Sequence, residues 1–297
     1  MATTLVPETD VYGEHVRKPS RKATLLKVLA HVCFVLVSIA MLMPFFWLIT
    51  SSLKRPEQIF VFPPQWIPNP IHWDNYSKLF QTVPVVRYAI NTLTITLGAT
   101  IGQVVTSALV AYGFARMRFV GRDLAFSAIL ATLMLPYAVT IVPVYVMFAK
   151  LGWVNTYWPL ILPYWFGGGA FNIFLLRQFF RTIPMDLDEA ALLDGANRLR
   201  IFATIIVPLS KPALMAVFVL SLMHHWNDFL APVIYLTTSA KWTLAIGISS
   251  LSSLESGRDF THYQMALSTI VVVPVMIVFF LAQRVFIQGI ALTGIKG

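Results

Sequence analysis

The sequence predicts an all-α protein that crosses a membrane six times, and three observations predict it. Of its 297 residues 57% are hydrophobic and only 12% charged, and mean hydropathy is +0.72; a soluble domain carries about 25% charged residues. Six stretches, 28–53, 88–115, 124–149, 151–176, 212–236 and 263–283, each supply the roughly 20 apolar residues that a helix rising ~1.5 Å per residue needs to cross hydrocarbon. Pro44, Pro136, Pro143, Pro159, Pro163, Pro232 and Pro274 fall inside them; soluble helices tolerate such prolines poorly, whereas membrane helices accommodate them as kinks. This composition leaves almost no room for a water-soluble enzyme.

Taken in order, residues 1–27 form a polar segment ahead of the first span. The apolar run that follows is far longer than the roughly 7–15 residues of a signal-peptide core, so it is expected to remain as an anchor. Between the first two spans, residues 60–73 gather Pro63, Pro64, Pro68 and Pro70 with Trp66 and Trp73, which suits an extended strap in an interfacial aromatic belt. The second span contains Gly98 and Gly102 four residues apart, a spacing that fits a close helix–helix contact. Lys150, Gly152 and Asn155 make a short turn that sets spans three and four antiparallel, and Gly167-Gly168-Gly169 loosens the fourth. The fifth and sixth spans then lead to a short C-terminal tail, 285–297, expected in the cytoplasm.

Formal net charge is +9. Nucleic-acid binding is one reading of that excess, but an excess of Lys and Arg in cytoplasmic loops explains it better. With the N-terminus inside, the inner segments hold fifteen Lys and Arg and the outer segments seven, so both termini are expected in the cytoplasm. The single cysteine, Cys33, excludes an intrachain disulfide and argues against a cysteine metal site.

The long inner loop, 177–211, breaks the apolar pattern. Pro184 ends one helix, and Asp186 is placed to cap the next, with Glu189 three residues on as in a capping box. Leu187, Ala190, Ala191 and Asp194 share one helical face, built of small residues that let another surface approach. Gly195 breaks that helix and Asn197 starts a second, which together predict a rigid helix–turn–helix bracket. Such a bracket could rest on lipid headgroups or grip a protein. Acidic residues at 186, 188, 189 and 194 favour the protein, because headgroup-binding helices are rich in Lys and Arg.

The loop resembles the signature of permease subunits in ATP-binding-cassette (ABC) importers: Glu189-Ala190-Ala191, three residues, Gly195, nine residues, then Ile205-Ile206-Val207-Pro208, with Val207 where Leu is usual. The similarity runs along nearly the whole chain to the carbohydrate-uptake branch, in particular to the smaller permease of the maltose-type pair. It is carried by Ser52-Leu53-Lys54-Arg55-Pro56-Glu57, Tyr112-Gly113-Phe114-Ala115-Arg116, Arg177-Gln178-Phe179-Phe180, Asp194-Gly195-Ala196 and Trp226-Asn227-Asp228-Phe229-Leu230.

The resemblance implies a type I importer transmembrane fold: a first helix at 28–53, a transmembrane domain at 88–284 and a cytoplasmic coupling-helix loop. It implies a second permease, two ATPase subunits that carry ATP and Mg, an extracytoplasmic sugar-binding protein and surrounding membrane lipid. It implies no nucleic acid, and no cofactor or metal bound by this chain. Asp186, Leu187, Glu189, Ala190, Ala191, Asp194 and Gly195 would form the ATPase-coupling interface, and Thr293, Gly294 and Lys296 of the tail would reach the ATPases. Consistent with that division of labour, no Gly-Lys dipeptide occurs in the chain, so a phosphate-binding P-loop is missing and the chain is not itself expected to be an enzyme.

His224-His225-Trp226-Asn227-Asp228 lies within the fifth predicted span. Ionisable groups at that depth usually face the protein interior or a water-filled cavity. Structural hydrogen bonding accounts for the cluster, with Trp226, Asn227 and Asp228 as a candidate substrate cavity; a metal pair at His224 and Asp228 lacks the further ligands it would need. Two rival functions remain. An ion-driven secondary transporter would want paired intramembrane carboxylates, and Asp228 stands almost alone. An intramembrane hydrolase would want a nucleophile with its base, and only His224 with Asp228 points that way.

Overall fold

The computed structural model describes residues 21–253 and 260–293, which form helices and connecting turns with no strand among them. The chain divides into two units, 1–48 and 49–297. The described part of the first lies in helix α1 (Arg21–Ser52), whose residues 24–46 are all exposed. A helix that is apolar on every side suits hydrocarbon or another apolar helix rather than water.

In the second unit, α2 (Pro56–Ile59) and α3 (Asp74–Thr82) flank the proline-rich strap. Gln58 Nε2 ties the strap down by donating to the Asn69 carbonyl at 2.8 Å, while Phe60, Phe62 and Trp73 stay exposed. Helix α4 (Val85–Arg116) is the central post. Next come α5 (Arg122–Ala131), α6 (Tyr137–Lys150), α7 (Trp158–Ile161) and α8 (Ala170–Phe180). The long loop holds α9 (Asp186–Leu193), α10 (Arg198–Ile201) and α11 (Val207–Leu209). The chain continues as α12 (Lys211–Trp226), α13 (Leu230–Tyr235), α14 (Leu244–Ser253) and α15 (Thr261–Thr293). Helix α4 packs along α8 and α12, α12 along α15, and α14 against both α15 and α4.

Among the described residues, four helical segments are long and apolar enough to span a membrane: Thr24–Ser52, Val85–Arg116, Trp158–Phe180 and Thr261–Gln283. Two bent pairs, Arg122–Met134 with Tyr137–Lys150 and Arg198–Leu209 with Lys211–Trp226, bring the number to six when each pair counts as one span.

Three of the predicted spans differ in detail. The third turns by 100° between Met134 and Tyr137, because Pro136 cannot donate to the helix and drives Leu135 into extended geometry (φ −80°, ψ 114°). The fourth starts later than predicted. Gly152 and Asn155 adopt positive φ, and Asn155 turns outward to exchange side-chain hydrogen bonds with Thr238 at 2.8 and 3.1 Å. The fifth does not reach residue 236 as one helix: α12 stops at Trp226 and α13 begins at Leu230.

The close approach expected at Gly98 and Gly102 is present, and its partner is a side chain. The Trp165 indole lies on Gly102, where a Cβ would overlap its ring, and Trp165 Nε1 donates to the Gly98 carbonyl at 3.0 Å. At the end of the unit nearest the long loop, Ala111, Tyr112 and Phe114 of α4 pack with Leu176 and Phe180 of α8, Ile201 and Ile206 of the loop, and Val217 of α12. This core is the platform on which the bracket stands.

Candidate functional site

The first arm of the bracket is α9. Met185, rather than Asp186, occupies the capping position: its carbonyl accepts from the N–H groups of Asp188 (2.9 Å) and Glu189 (3.1 Å). No side chain caps the helix, so the expected Asp186 cap and Glu189 capping box do not form. Pro184 sets the reason, since the chain leaving it already turns helically at Met185 (φ −71°, ψ −25°). Asp186, Asp188 and Glu189 occupy the first turn, where the helix dipole favours negative charge.

Helix α9 ends in a Schellman motif. Gly195 sits at φ +81°, its N–H reaches the Leu192 carbonyl at 3.0 Å, and the Ala196 N–H reaches the Ala191 carbonyl at 2.9 Å. A Cβ on Gly195 would meet nothing within 4 Å, so only the backbone angle demands glycine here. Gly195→Val is therefore expected to cost about 1–2 kcal/mol, while Gly195→Asn, which tolerates the left-handed region, should lose little; thermal unfolding of the two purified variants checks the contrast. The second arm begins as expected at Asn197, whose Oδ1 accepts from the Arg200 N–H at 2.8 Å. A π-helical stretch, Phe202–Ile206, follows just before Pro208, which has no N–H to continue an α-helical ladder.

Exposure divides the predicted coupling residues. Asp186, Leu187, Glu189, Ala190, Asp194 and Gly195 are exposed, whereas Ala191 is half-buried and packs toward the platform core. Two side chains outside the predicted set stand out: Leu193 is 89% and Leu199 69% exposed, one on each arm. The bracket thus presents a surface of carboxylates, small residues and apolar knobs.

Its other side is anchored to α4. Arg116 Nη2 donates to the carbonyls of Phe180 (2.7 Å) and Ile183 (2.8 Å), and Nη1 lies 2.7 Å from Met185 Sδ. Nη1 is also 3.9 Å from Asp188 Oδ1, and both side chains are 1% exposed. One turn earlier, Tyr112 Oη donates to the Arg198 carbonyl at 3.1 Å, and its ring lies 5.1 Å from that of Phe202. The sequence marks Arg116 as a flanking charge and as part of Tyr112-Gly113-Phe114-Ala115-Arg116, but it does not reveal that the guanidinium turns inward to hold the bracket. Arg177 is turned toward α5 instead, 4.0 Å over the Phe126 ring and 3.9 Å from Asp123.

The candidate substrate residues are not brought together. Trp226 is buried in the core between α12, α14 and α15, its Nε1 3.3 Å from the Val271 carbonyl. Asn227 is exposed and folds back onto the Met223 carbonyl (2.8 Å). Asp228 Oδ1 accepts from the Ala231 N–H at 3.3 Å. His224 and Asp228 do not share a helix face, because the helix ends at Trp226.

The polar groups gather one step away. A cleft of about 300 Å³ is lined by Gln103, Asn172, Ser221 and His224. Asn172 Nδ2 is 3.2 Å from Ser221 Oγ, and Gln103 Oε1 is 2.8 Å from His225 Nε2. The signal for this cleft was polar residues inside otherwise apolar spans. Among the described residues, no three His, Cys, Asp or Glu side chains assemble as a metal site. Of the predicted tail contacts, Thr293 is the final residue of α15, while Gly294 and Lys296 lie outside the described residues.

Residues 103–292 match the family described as the inner membrane component of binding-protein-dependent transport systems. The chain is 32% identical over 271 residues to an sn-glycerol-3-phosphate transport system permease protein of Yersinia pestis, covering 89% of this chain and 96% of that one. It is 32% identical over 258 residues to a diacetylchitobiose uptake system permease protein of Streptomyces coelicolor, covering 86% and 84%. Its fold is similar to that of a chain in the crystal structure of a bacterial ABC transporter involved in the import of alginate, with TM-score 0.79, 21% identity, and coverage of 91% of this chain and 99% of that one. A family match over most of the chain, an all-helical fold with up to six spans and an anchored bracket lead to one conclusion: the chain belongs to the inner-membrane components of binding-protein-dependent transport systems.

Proposed function

We propose that this chain is one permease half of an ATP-driven importer that carries a carbohydrate or a related polyol across the cytoplasmic membrane. It works with a second permease, two ATP-binding-cassette subunits and an extracytoplasmic sugar-binding protein. ATP and Mg bind to the ATPases, and residues 88–284 form the transmembrane domain, with both termini cytoplasmic. The cargoes named for the Yersinia and Streptomyces relatives support this class of substrate. The observation that carries the reading is the bracket: an exposed carboxylate, small-residue and leucine surface on a mount fixed to the central post.

The bracket, at Asp186, Leu187, Glu189, Ala190, Ala191, Asp194 and Gly195, docks in a cleft of an ATPase. Closure of the two ATPases then moves the helices above it. Such coupling needs the ATP-bound partner to favour one arrangement of the permease by differential contacts. Trp226–Asp228 and the Thr293–Lys296 tail are secondary candidates for cargo and ATPase contact. The cleft of Gln103, Asn172, Ser221 and His224 is a better cargo lining than Trp226, which is spent on packing.

The test is co-purification from cells that express the partner subunits. The wild-type chain is expected to bring down a nucleotide-hydrolysing subunit. Ala190→Lys, a long cation on an exposed small position, is expected to reduce the captured ATPase about tenfold, the equivalent of ~1.4 kcal/mol, at an unchanged yield of the chain. Transport by the lone chain under an ion gradient, with no ATPase bound, would instead support a secondary transporter.

A further inference from the structure

The Arg116 guanidinium touches three elements at once. It leaves the last residue of α4, reaches the carbonyl of the last residue of α8 and that of Ile183, and meets the start of α9 through Met185 Sδ. A cation is favoured at Phe180 because the last carbonyls of a helix lack partners within it. The fourth contact is incomplete: Arg116 Nη1 stands 3.9 Å from Asp188 Oδ1, whereas a closed charge-assisted hydrogen bond spans about 2.7–2.9 Å. Both Asp188 carboxylate oxygens are buried without a hydrogen bond. A buried carboxylate held by charge alone at that distance is under-satisfied. A shift of about 1 Å, bringing α9 toward α4, would close the pair into a charge-assisted bond.

We infer that Arg116 is a positioning residue that makes the bracket and α4 move as one body, by exchanging Met185 Sδ for the Asp188 carboxylate as the bracket is pressed inward. The inference rests on the importer reading, which supplies the force that presses. It assigns each acceptor to one state. Met185 holds the guanidinium when the ATPases are apart, and Asp188 holds it when they close, while the two carbonyls keep it in place throughout. Two discrete arrangements of one buried contact are what a packed mechanical link requires, since packed interiors switch rather than stretch.

The test uses the assembled importer with its ATPases and partner permease. Spin labels are placed at Ile90→Cys, exposed near the outer end of α4, and Arg200→Cys, exposed on the bracket, in a Cys33→Ser background. The distance distribution is measured without nucleotide and with ATP plus vanadate. The unmodified link is expected to give a narrow distribution in both states. Asp188→Asn is expected to broaden it with ATP plus vanadate alone, and Met185→Leu without nucleotide alone. A purely structural role would broaden both states or neither, and either result overturns the inference. Arg116→Lys, a point donor that cannot bridge all the acceptors, should broaden both; if that variant does not assemble, the two milder ones still decide. Failure of the unmodified chain to bind any ATPase overturns the importer reading and this inference together, whereas normal assembly with unaltered distributions overturns this inference alone.

Discussion

Arg116→Met should unfold at a markedly lower temperature than the parent, with a stability loss of about 3–5 kcal/mol, the cost of stripping one partner from a buried ion pair. Both charges are 1% exposed, so water cannot replace the guanidinium beside Asp188. The carbonyls of Phe180 and Ile183 lose this donor as well; Phe180 still accepts from the Ile183 N–H at 3.3 Å, so it is the Ile183 carbonyl that is left unpaired, at about 1 kcal/mol. The double variant Arg116→Met with Asp188→Leu removes the stranded carboxylate and should recover more than half of the loss. Thermal unfolding of the purified chain in detergent compares the three proteins. Equal stability of Arg116→Met and the parent would mean that the pair is not buried as described.

Gly168→Val should be the most damaging single change in the spans. Gly168 sits at φ +65°, where a Cβ would overlap Ser107 Oγ and lie 2.6 Å from both the Gln103 carbonyl and the Ser107 N–H. Left-handed geometry in a non-glycine residue costs about 1–3 kcal/mol, more for a β-branched one, and overpacking adds a similar about 1–3 kcal/mol. Ser107 Oγ also hydrogen-bonds the Gly168 carbonyl at 2.9 Å, so relief by moving α4 away would break that bond. Gly121→Ala is the control: its φ is +79° but a Cβ there meets nothing within 4 Å, so only the conformational cost of about 1–2 kcal/mol should appear. Detergent-solubilised yield and unfolding midpoint separate the two. Similar values for both variants would assign the effect to backbone angle alone.

The six apolar stretches could be read from the chain because hydrocarbon imposes length and composition directly. Continuity could not. Hydropathy averaged over the stretch does not register whether residues 227–229 extend α12 or interrupt it; the local signal was Asp228, whose Oδ1 accepts from the Ala231 N–H where the next helix starts. The turn between the bracket's arms was legible through Gly195 and Asn197, each with a conformational preference of its own, whereas its start was not, since Met185 takes the capping position expected of Asp186. Which way its face points was not. The spacing grouped Ala191 with Ala190, but orientation depends on where Arg116 and the platform core lie, and those contacts span more than 60 residues of chain. Arg116 itself was hidden by its own type, since a cation at the inner end of a span satisfies the topology rule whether it faces water or the protein interior.

The glycine triplet before α8 carries a consequence for the life of the chain in a cell. Positive φ at Gly167, Gly168 and Gly169 interrupts the candidate span Trp158–Phe180 near its middle, and α8 opens with no side-chain cap for its leading amides. Amide groups left over in hydrocarbon must be covered by protein or reached by water. Gly169, Ala170 and Phe171 line the cleft beside Asn172, and a solitary copy that left this opening uncovered would be an invitation to quality-control proteases. Cellular abundance of this polypeptide should therefore track synthesis of whatever neighbour seals it.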